Sequence, residues 1–266
     1  MRTIGFINWK GGVGKTTLST NTAYALGEAF NSDGEVRVLF IDADKQGNAS
    51  KWFGADPGRG SLADILLGRA GAEEVIQHTR YPHIDIIPAD ASLIQANYAV
   101  LLETKRRQDN ILKEALRPVE DRYSLCIVDF PPDSNLPVLN CLEIMDDVIA
   151  VTLPNRFSLD GVYALQQEID NYNHDLSLGL FIRGVIINKR TPFNPNISQE
   201  LREKYNLFPF IRGGNCPQRW LDRCINEQKS IYELSPHSGF ARDLNRFLRK
   251  LADVIRADVT GEAVLW

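Results

Sequence analysis

The chain has 266 residues, with a hydrophobic content of 44% and a charged content of 24%, which is ordinary for a globular protein with a full core. The formal net charge of -4 argues against a protein that binds nucleic acid over its whole surface. The apolar stretches are too short to span a bilayer, and the first residues read directly into a strand. We therefore expect no signal peptide, no transmembrane helix and a cytoplasmic location.

A glycine-rich turn near the N-terminus is the most informative stretch: Lys10-Gly11-Gly12-Val13-Gly14-Lys15-Thr16-Thr17. It follows an apolar run over residues 3–7 that predicts a strand, and it precedes a predicted helix over residues 18–30. Glycines let successive backbone N–H groups face one anion, and the helix N-terminus adds partial positive charge. The turn therefore predicts a phosphate-binding loop, with Lys15 on the β- and γ-phosphates and the Thr16 hydroxyl on Mg²⁺.

Acidic side chains follow two predicted strands. The strand over residues 36–41 runs into Asp42 and Asp44, and the strand over residues 124–129 ends in Asp129. Carboxylates at the carboxyl ends of parallel strands, beside a phosphate-binding loop, are placed to interact with magnesium and water. The alternative is that these are solvated loop acids or the polar end of a buried strand.

The rest of the chain alternates between predicted strands and helices. Further strands are predicted over 84–89, 148–153, 180–188 and 208–211; helices are predicted over 61–67, 72–78, 91–107, 109–116, 137–145, 159–172, 195–205, 218–226 and 239–258. This alternation predicts one α/β domain over residues 1–266, a P-loop NTPase-like fold with a mostly parallel twisted sheet and helices on both faces. Asn188 ends one strand, where its amide can present a donor and an acceptor to an adenine edge or can simply end the strand.

The C-terminal part of the chain is basic, with helices predicted at about 217–258. Residues 212–256 hold nine Lys/Arg against five Asp/Glu, which suggests an anionic partner. The candidate cations are Arg219, Arg223, Arg242, Arg246, Arg249 and Lys250. For any single arginine the alternative is a solvated helix face with intrahelical pairs, such as Asp243 with Arg246 or Arg249 with Asp253. The four cysteines have no Cys-x-x-Cys spacing, which favours reduced thiols.

The glycine-rich turn departs from the strict P-loop pattern, because position 9 is Trp and Lys10 stands before the double glycine. This resembles the deviant P-loop of the ParA/MinD family of ATPases. The Asp-x-Pro-Pro run over 129–132, the Ile-Pro-Ala run over 87–89 and the Ser-Pro-x-Ser run over 235–238 resemble the same family. Two departures stand out: Lys45 occupies a position that is usually proline, and residues 133–135 replace a smaller, glycine-containing run.

The resemblance implies ATP and Mg²⁺ as cofactors and a homodimer that encloses two ATP molecules. In such a dimer Lys10 reaches the phosphates of the partner subunit, and Asp42 and Asp129 belong with Thr16 to the metal site. The resemblance further implies that Asp44 orients or activates the attacking water. Asn188 then binds the base, and Pro236 lies in the loop that lines it.

By the same resemblance, we expect a slow, Mg²⁺-dependent switch ATPase of the ParA type. Its ATP-bound dimer would bind DNA non-specifically, associate with the nucleoid and respond to a ParB-like adaptor that stimulates hydrolysis. Membrane binding is disfavoured because residues 258–266 contain acids and no Lys or Arg. The alternatives are an ATPase of the same fold that positions protein cargo or serves conjugative transfer, a metabolic or electron-transfer relative, and a DNA-binding module without ATPase activity.

Overall fold

A computed structural model describes residues 1–32, 34–103, 107–189, 195–212 and 218–260, with the backbone alone for 195, 218–221 and 256–260. In this part of the chain the strands are β1 (Arg2–Ile7), β2 (Val38–Asp42), β3 (Gln77–His78), β4 (Ile84–Ile87), β5 (Leu125–Asp129), β6 (Asp147–Thr152) and β7 (Ile182–Ile187). The α-helices are α1 (Lys15–Tyr24), α2 (Asn48–Phe53), α3 (Leu62–Leu66), α4 (Ala72–Val75), α5 (Ser92–Leu102), α6 (Ile111–Leu116), α7 (Leu136–Leu142), α8 (Arg156–Leu176), α9 (Pro195–Lys204), α10 (Gln218–Asn226), α11 (Ile231–Leu234) and α12 (Gly239–Thr260).

The strands form a seven-stranded sheet in the order β3-β4-β2-β5-β1-β6-β7. Every pairing is parallel except that of β3 with β4. The register places Asp129 opposite Asp42 on one side and opposite Phe6 on the other. The carboxyl ends of β1, β2 and β5 therefore meet at one edge of the sheet, which confirms the predicted fold class and brings the candidate acids to the glycine-rich turn.

Two apolar cores lie on the two faces of the sheet, because successive side chains of a buried strand point to opposite sides. Ile7 belongs to the core formed with α3–α9, whereas Ile4 and Phe6 belong to the core formed with α1, α2 and α10–α12. In the second core the rings of Phe6 and Phe247 meet edge to face, with centroids 6.1 Å apart. The predicted apolar stripe of α12 is thus the face of that helix that packs on the sheet.

The strand predicted over residues 208–211 is not formed. This segment runs beside β7, with a parallel bridge from Leu207 to Val185 and a backbone hydrogen bond from the N–H of Ile211 to the carbonyl of Ile187. Pro209 has no N–H to donate, so the ladder cannot continue through it. The edge of the sheet is therefore covered by irregular backbone rather than by an eighth strand.

Two short elements also differ from the sequence interpretation. The helix predicted over 72–78 ends at Val75, and Gln77–His78 pair with β4 as the antiparallel strand β3. Helix α2 was not predicted, because its residues follow an Asp-rich turn and a glycine stands on each side of it. Gly47 (φ 60°) and Gly54 (φ 71°) bound this helix, and it is anchored by the burial of its aromatic side chains.

Candidate functional site

The glycine-rich turn connects β1 to α1 at the edge of the sheet where the acidic strands end. Gly12 has φ 73° and Gly14 has φ 97°, a backbone region that side chains strain. A Cβ on Gly14 would also lie 2.2 Å from Nδ2 of Asn188. Glycine is therefore required at position 14 for two reasons: its backbone conformation and the close approach of Asn188 at the end of β7.

Lys15 is the first residue of α1, and its side chain turns back over the loop. Its Nζ donates to the carbonyl oxygens of Asn8 (3.0 Å) and Lys10 (3.3 Å), and the residue is only 7% exposed. Burial lowers the pKa of this amine, and the nearby carboxylates of Asp129 and Asp44 oppose that effect. The ammonium group is thus held in the middle of the loop, where an anion would meet it.

Asn8 is a site residue that the sequence interpretation did not identify. Its buried Nδ2 donates to the carbonyl oxygens of Val151 (2.8 Å) and Ser158 (3.2 Å), and its Oδ1 accepts from the backbone N–H of Lys10 (2.8 Å). Gly161 makes room for it, since a Cβ there would lie 2.3 Å from Oδ1. Asn8 therefore fixes the start of the loop to β6 and α8 through contacts distant in sequence.

Asp129 is the most unusual ionisable residue in the site. It is fully buried, and neither carboxylate oxygen has a hydrogen-bond partner that meets geometric criteria in the described part of the chain. Burial raises the pKa of Asp129 to about 8, and the Asp42 charge adds to this, whereas the Thr16 hydroxyl and Lys15 oppose it. A buried carboxylate left without a partner indicates a site that a cation completes.

Asp42 is equally buried but fully hydrogen-bonded. Its Oδ2 accepts from the backbone N–H (2.8 Å) and the hydroxyl (2.7 Å) of Ser50, and its Oδ1 accepts from the N–H of Asp44 (3.0 Å). Burial raises the pKa of Asp42 to about 6, although the bonds from Ser50 and Asp44 oppose the rise. Asp42 therefore links the loop after β2 to α2 as well as lying beside Asp129.

Asp44 lies at the turn between β2 and α2. Its Oδ1 accepts from the N–H of Gln46 (2.9 Å), and its carbonyl accepts from the N–H of Gly47 (2.8 Å). The second carboxylate oxygen is left for a ligand or water by these contacts, and the residue is nearly buried. The turn thus holds an acid in a fixed orientation next to the buried pair Asp42 and Asp129.

The donor set fits magnesium better than a metal held by protein ligands alone. No group of three or more His, Cys, Asp or Glu that could hold a metal occurs among the described residues. Mg²⁺ usually takes one or two protein oxygens and completes its shell with waters and substrate phosphates. Thr16, Asp42 and Asp129 are a donor set of that kind, and the unpartnered Asp129 is the observation that supports it.

The remaining loop residues differ in how far they are exposed. The side chain of Lys10 is exposed, Val13 is buried in the core, and Thr17 is half-buried on α1. Gly11 lies beside Pro132, which a Cβ would approach to 3.9 Å. The loop after β5 therefore lies against the glycine-rich turn, as the two sequence motifs together predict.

Asn188 ends β7 and lies against the loop. Its buried Nδ2 donates to the carbonyl of Val13 (2.8 Å), and its Oδ1 accepts from the N–H of Lys189 (2.8 Å). Asn188 thus supports the glycine-rich turn, and its proposed contact with a base stays a prediction. Pro236 lies in the turn between α11 and α12, and the N–H of Ile231 in α11 donates to Asn21 Oδ1 of α1 (2.8 Å).

The candidate DNA-binding arginines differ in their surroundings. Arg223 pairs with Glu227 (Nε to Oε1, 2.6 Å), and Arg246 pairs with the buried Asp243, as the alternative interpretation of that helix face expected. Arg242 is exposed and has no ion-pair partner among the described side chains. The side chain of Arg219 lies outside the described residues, so its role stays a prediction.

None of the helices in the described ranges combines the length and apolarity needed to cross a membrane.

Comparisons with known proteins place the chain in a family. Residues 1–181 match the AAA_31 family model, described as an AAA domain. The chain is 32% identical over 212 residues to the chromosome partitioning protein ParA of Caulobacter vibrioides, covering 77% of each chain.

Solved structures share the fold. The cobyrinic acid a,c-diamide synthase of Mycobacterium smegmatis, with a bound ATP analogue and magnesium, has a TM-score of 0.79 at 23% identity, covering 98% of this chain and 97% of that one. The cell division ATPase MinD of Pyrococcus furiosus has a TM-score of 0.75 at 21% identity, covering 95% and 99%. The chain therefore belongs to the ParA/MinD family of P-loop ATPases, as the family match, the ParA relative and the deviant glycine-rich turn show together.

Proposed function

We propose that this chain is a Mg²⁺-dependent ATPase that uses ATP binding and slow hydrolysis to switch between a dimer and a monomer. In its ATP-bound form it binds DNA without sequence preference and partitions or positions DNA in the cytoplasm. The observation that carries the proposal is the buried, unpartnered Asp129 beside the Lys15 amine and the glycine-rich turn. Its relation to ParA of Caulobacter vibrioides supports the partition role.

The residues of the turn would bind and orient the nucleotide. The backbone N–H groups of residues 12–17 and the Lys15 amine would contact the β- and γ-phosphates and stabilise charge on the transferring phosphoryl group. Thr16, with Asp42 and Asp129 acting through water, would hold the metal. Magnesium bound there would supply positive charge that offsets part of the charge of the phosphates.

Asp44 would orient the attacking water, because its carboxylate is held by the turn and lies close enough to Lys15 and Asp129 to affect their pKa values. Lys10 would act across the dimer, since its exposed side chain is available to a neighbouring copy. ATP would then hold the dimer together, and hydrolysis would release it. A ParB-like adaptor would accelerate that step.

The DNA contact would be a charge interaction with release of counterions, which requires no base-reading motif. Arg219, Arg223, Arg242 and Arg246 are the candidates, of which Arg242 has the fewest competing contacts among the described side chains. The pairing of Arg223 and Arg246 with acids favours one second candidate, an ATPase of the same fold that positions protein cargo or serves conjugative transfer.

The test combines hydrolysis, self-association and DNA binding. We expect Mg²⁺-dependent phosphate release, sedimentation as a dimer only with ATP, and DNA binding that requires ATP and weakens steeply with salt. Lys10→Ala should abolish the ATP-dependent dimer while leaving nucleotide binding by the monomer intact. ATP-dependent dimers that never bind DNA at low salt would favour the protein-cargo alternative, and an absence of hydrolysis would contradict the ATPase itself.

A further inference from the structure

The two departures from the family pattern meet in space. Lys45 follows Asp44 in the loop after β2, and Asp133 lies in the loop after β5, 88 residues away. Lys45 Nζ lies 2.7 Å from Asp133 Oδ2, with the two side chains 41% and 37% exposed. An ion pair therefore joins two loops that each contribute an acid to the candidate site.

Asp133 is itself held in place. Its Oδ1 accepts from Nδ2 of Asn135 (2.9 Å), and Oδ1 of Asn135 caps α7 by accepting from the N–H of Val138 (3.0 Å). The capped helix thus orients Asn135, Asn135 orients Asp133, and Asp133 fixes the end of the Lys45 side chain. The pairing with Asp133 also raises the pKa of Lys45, so the amine stays charged at neutral pH.

The loop after β2 needs such a constraint. Proline would fix φ next to Asp44, whereas lysine leaves that backbone free to rotate. In this chain Asp44 donates to Asp42 and accepts from Gln46 and Gly47, but none of these contacts involves the backbone of Lys45. An anchor at the tip of Lys45 would limit the rotation that lysine permits.

We propose that the Lys45–Asp133 ion pair positions Asp44 for hydrolysis by tying the loop after β2 to the loop after β5. This inference rests on the proposed ATPase function. Lys45 and Asp133 are positioning residues: they act on the orientation of Asp44 and not on the phosphates. Because both side chains are partly exposed, the effect belongs to the orientation of the loop more than to global stability.

The test is a double-mutant cycle in steady-state ATP hydrolysis. Asp133→Asn removes the charge but keeps an oxygen for Asn135, so the cap of α7 is preserved. We expect Lys45→Ala and Asp133→Asn each to lower kcat about three- to five-fold with little change in KM, and the double variant to be no worse than either alone. The reversed pair, Lys45→Asp with Asp133→Lys, should recover most of the lost kcat.

A matched control is Lys113→Ala, which removes a lysine paired with Glu143 at 3.1 Å on the surface of α6. This variant should leave kcat and KM unchanged. If Lys45→Ala raises KM while Asp133→Asn lowers it, the pair balances charge at the phosphates, and the positioning role is wrong. Additive losses in the double variant would overturn the proposal equally.

A second measurement needs no catalysis and separates this inference from the proposed function. Hydrogen exchange without nucleotide should be faster at the amides of residues 44–47 in Lys45→Ala and Asp133→Asn, and unchanged in Lys113→Ala. Faster exchange in a protein that fails to hydrolyse ATP would support the link between the two loops and would contradict the proposed ATPase function. Unchanged exchange at these amides would show that the Lys45–Asp133 ion pair does not hold the loop after β2, whatever the ATPase activity.

Discussion

Two regions concentrate charge, but the surroundings of the charges differ. One is the loop edge of the sheet, where β1, β2 and β5 end beside the glycine-rich turn; the other is the basic surface of α10 and α12. At the loop edge Lys15 and Asp129 are buried, and Asp129 has no geometrically suitable partner among the described atoms. On α10 and α12 the described arginine side chains are exposed; Arg223 pairs with Glu227 just after α10, and Arg246 pairs with Asp243 of α12. Burying a charge is costly unless a partner compensates it, so an uncompensated buried carboxylate indicates a ligand far more strongly than an exposed arginine does.

The largest effect is expected for substitution of Lys15. Lys15→Ala should lower the rate of ATP hydrolysis about 100-fold or more, because it removes a preorganised cation from the transferring phosphoryl group. Phosphate release at one fixed ATP concentration for both proteins measures this, with circular dichroism to verify folding. Lys113→Ala is the control, and a Lys15→Ala protein that hydrolyses ATP at the normal rate would reject the loop as the site.

Gly14 tests how closely the loop edge is packed. Gly14→Ala should reduce the free energy of unfolding by about 3 kcal/mol, since strained backbone adds to a steric clash with Asn188. Gly179→Ala is the matched control, because its φ is 71° and a Cβ there meets nothing within 4 Å. Urea unfolding of both proteins without nucleotide measures the difference, and equal losses would mean that Asn188 yields to the new methyl group.

Substitution by asparagine should change the free energy of unfolding in opposite directions at Asp129 and at Asp42. Asp129→Asn should raise the free energy of unfolding without metal or nucleotide by about 1–3 kcal/mol, because folding requires Asp129 either to take up a proton or to bury a charge that Thr16 and Lys15 offset only in part. Asp42→Asn should lower it by about 1 kcal/mol, because an amide nitrogen replaces an oxygen that accepts from Ser50 or Asp44. Thermal unfolding of the two variants at neutral pH measures both, and a less stable Asp129→Asn protein would contradict the interpretation of Asp129 as a cation ligand.

The smallest effect belongs to the basic surface. Arg242→Ala should weaken ATP-dependent DNA binding and reduce the slope of log affinity against log salt by about 1, because it removes one phosphate contact. Arg246→Ala should change the slope less, since Asp243, which also pairs with Arg212, offsets part of the charge of that guanidinium. Fluorescence anisotropy on one duplex across a salt series measures both slopes, and slopes identical to that of the unsubstituted protein would exclude Arg242 and Arg246 as DNA contacts.

The sequence predicted those parts of the site that depend on local spacing. The glycine-rich turn, Lys15 and the acids at the ends of β2 and β5 were found because a strand, a turn and a helix adjacent in sequence define the loop. Parallel pairing then brings the strand ends to the same edge. Asn8, Ser50 and the Lys45–Asp133 pair were not found, because their roles depend on contacts distant in sequence.

The errors in the fold have the same origin. Helix α2 lies between two glycines in a stretch that reads as loop, and the packing of Trp52 and Phe53 on the sheet supplies what its propensity lacks. The segment over residues 208–211 has the composition of a strand, but Pro209 cannot take part in a ladder. The helix predicted over 72–78 is cut short because Gln77 also bonds to the backbone of Asp56, which favours strand β3.

Calorimetric titration of ATP tests the central claim most directly. The account predicts binding in the micromolar range that requires Mg²⁺ and disappears in a folded Lys15→Ala protein. Heats that are equal with and without Mg²⁺, or that persist in Lys15→Ala, would contradict a phosphate site built from the glycine-rich turn and Asp129.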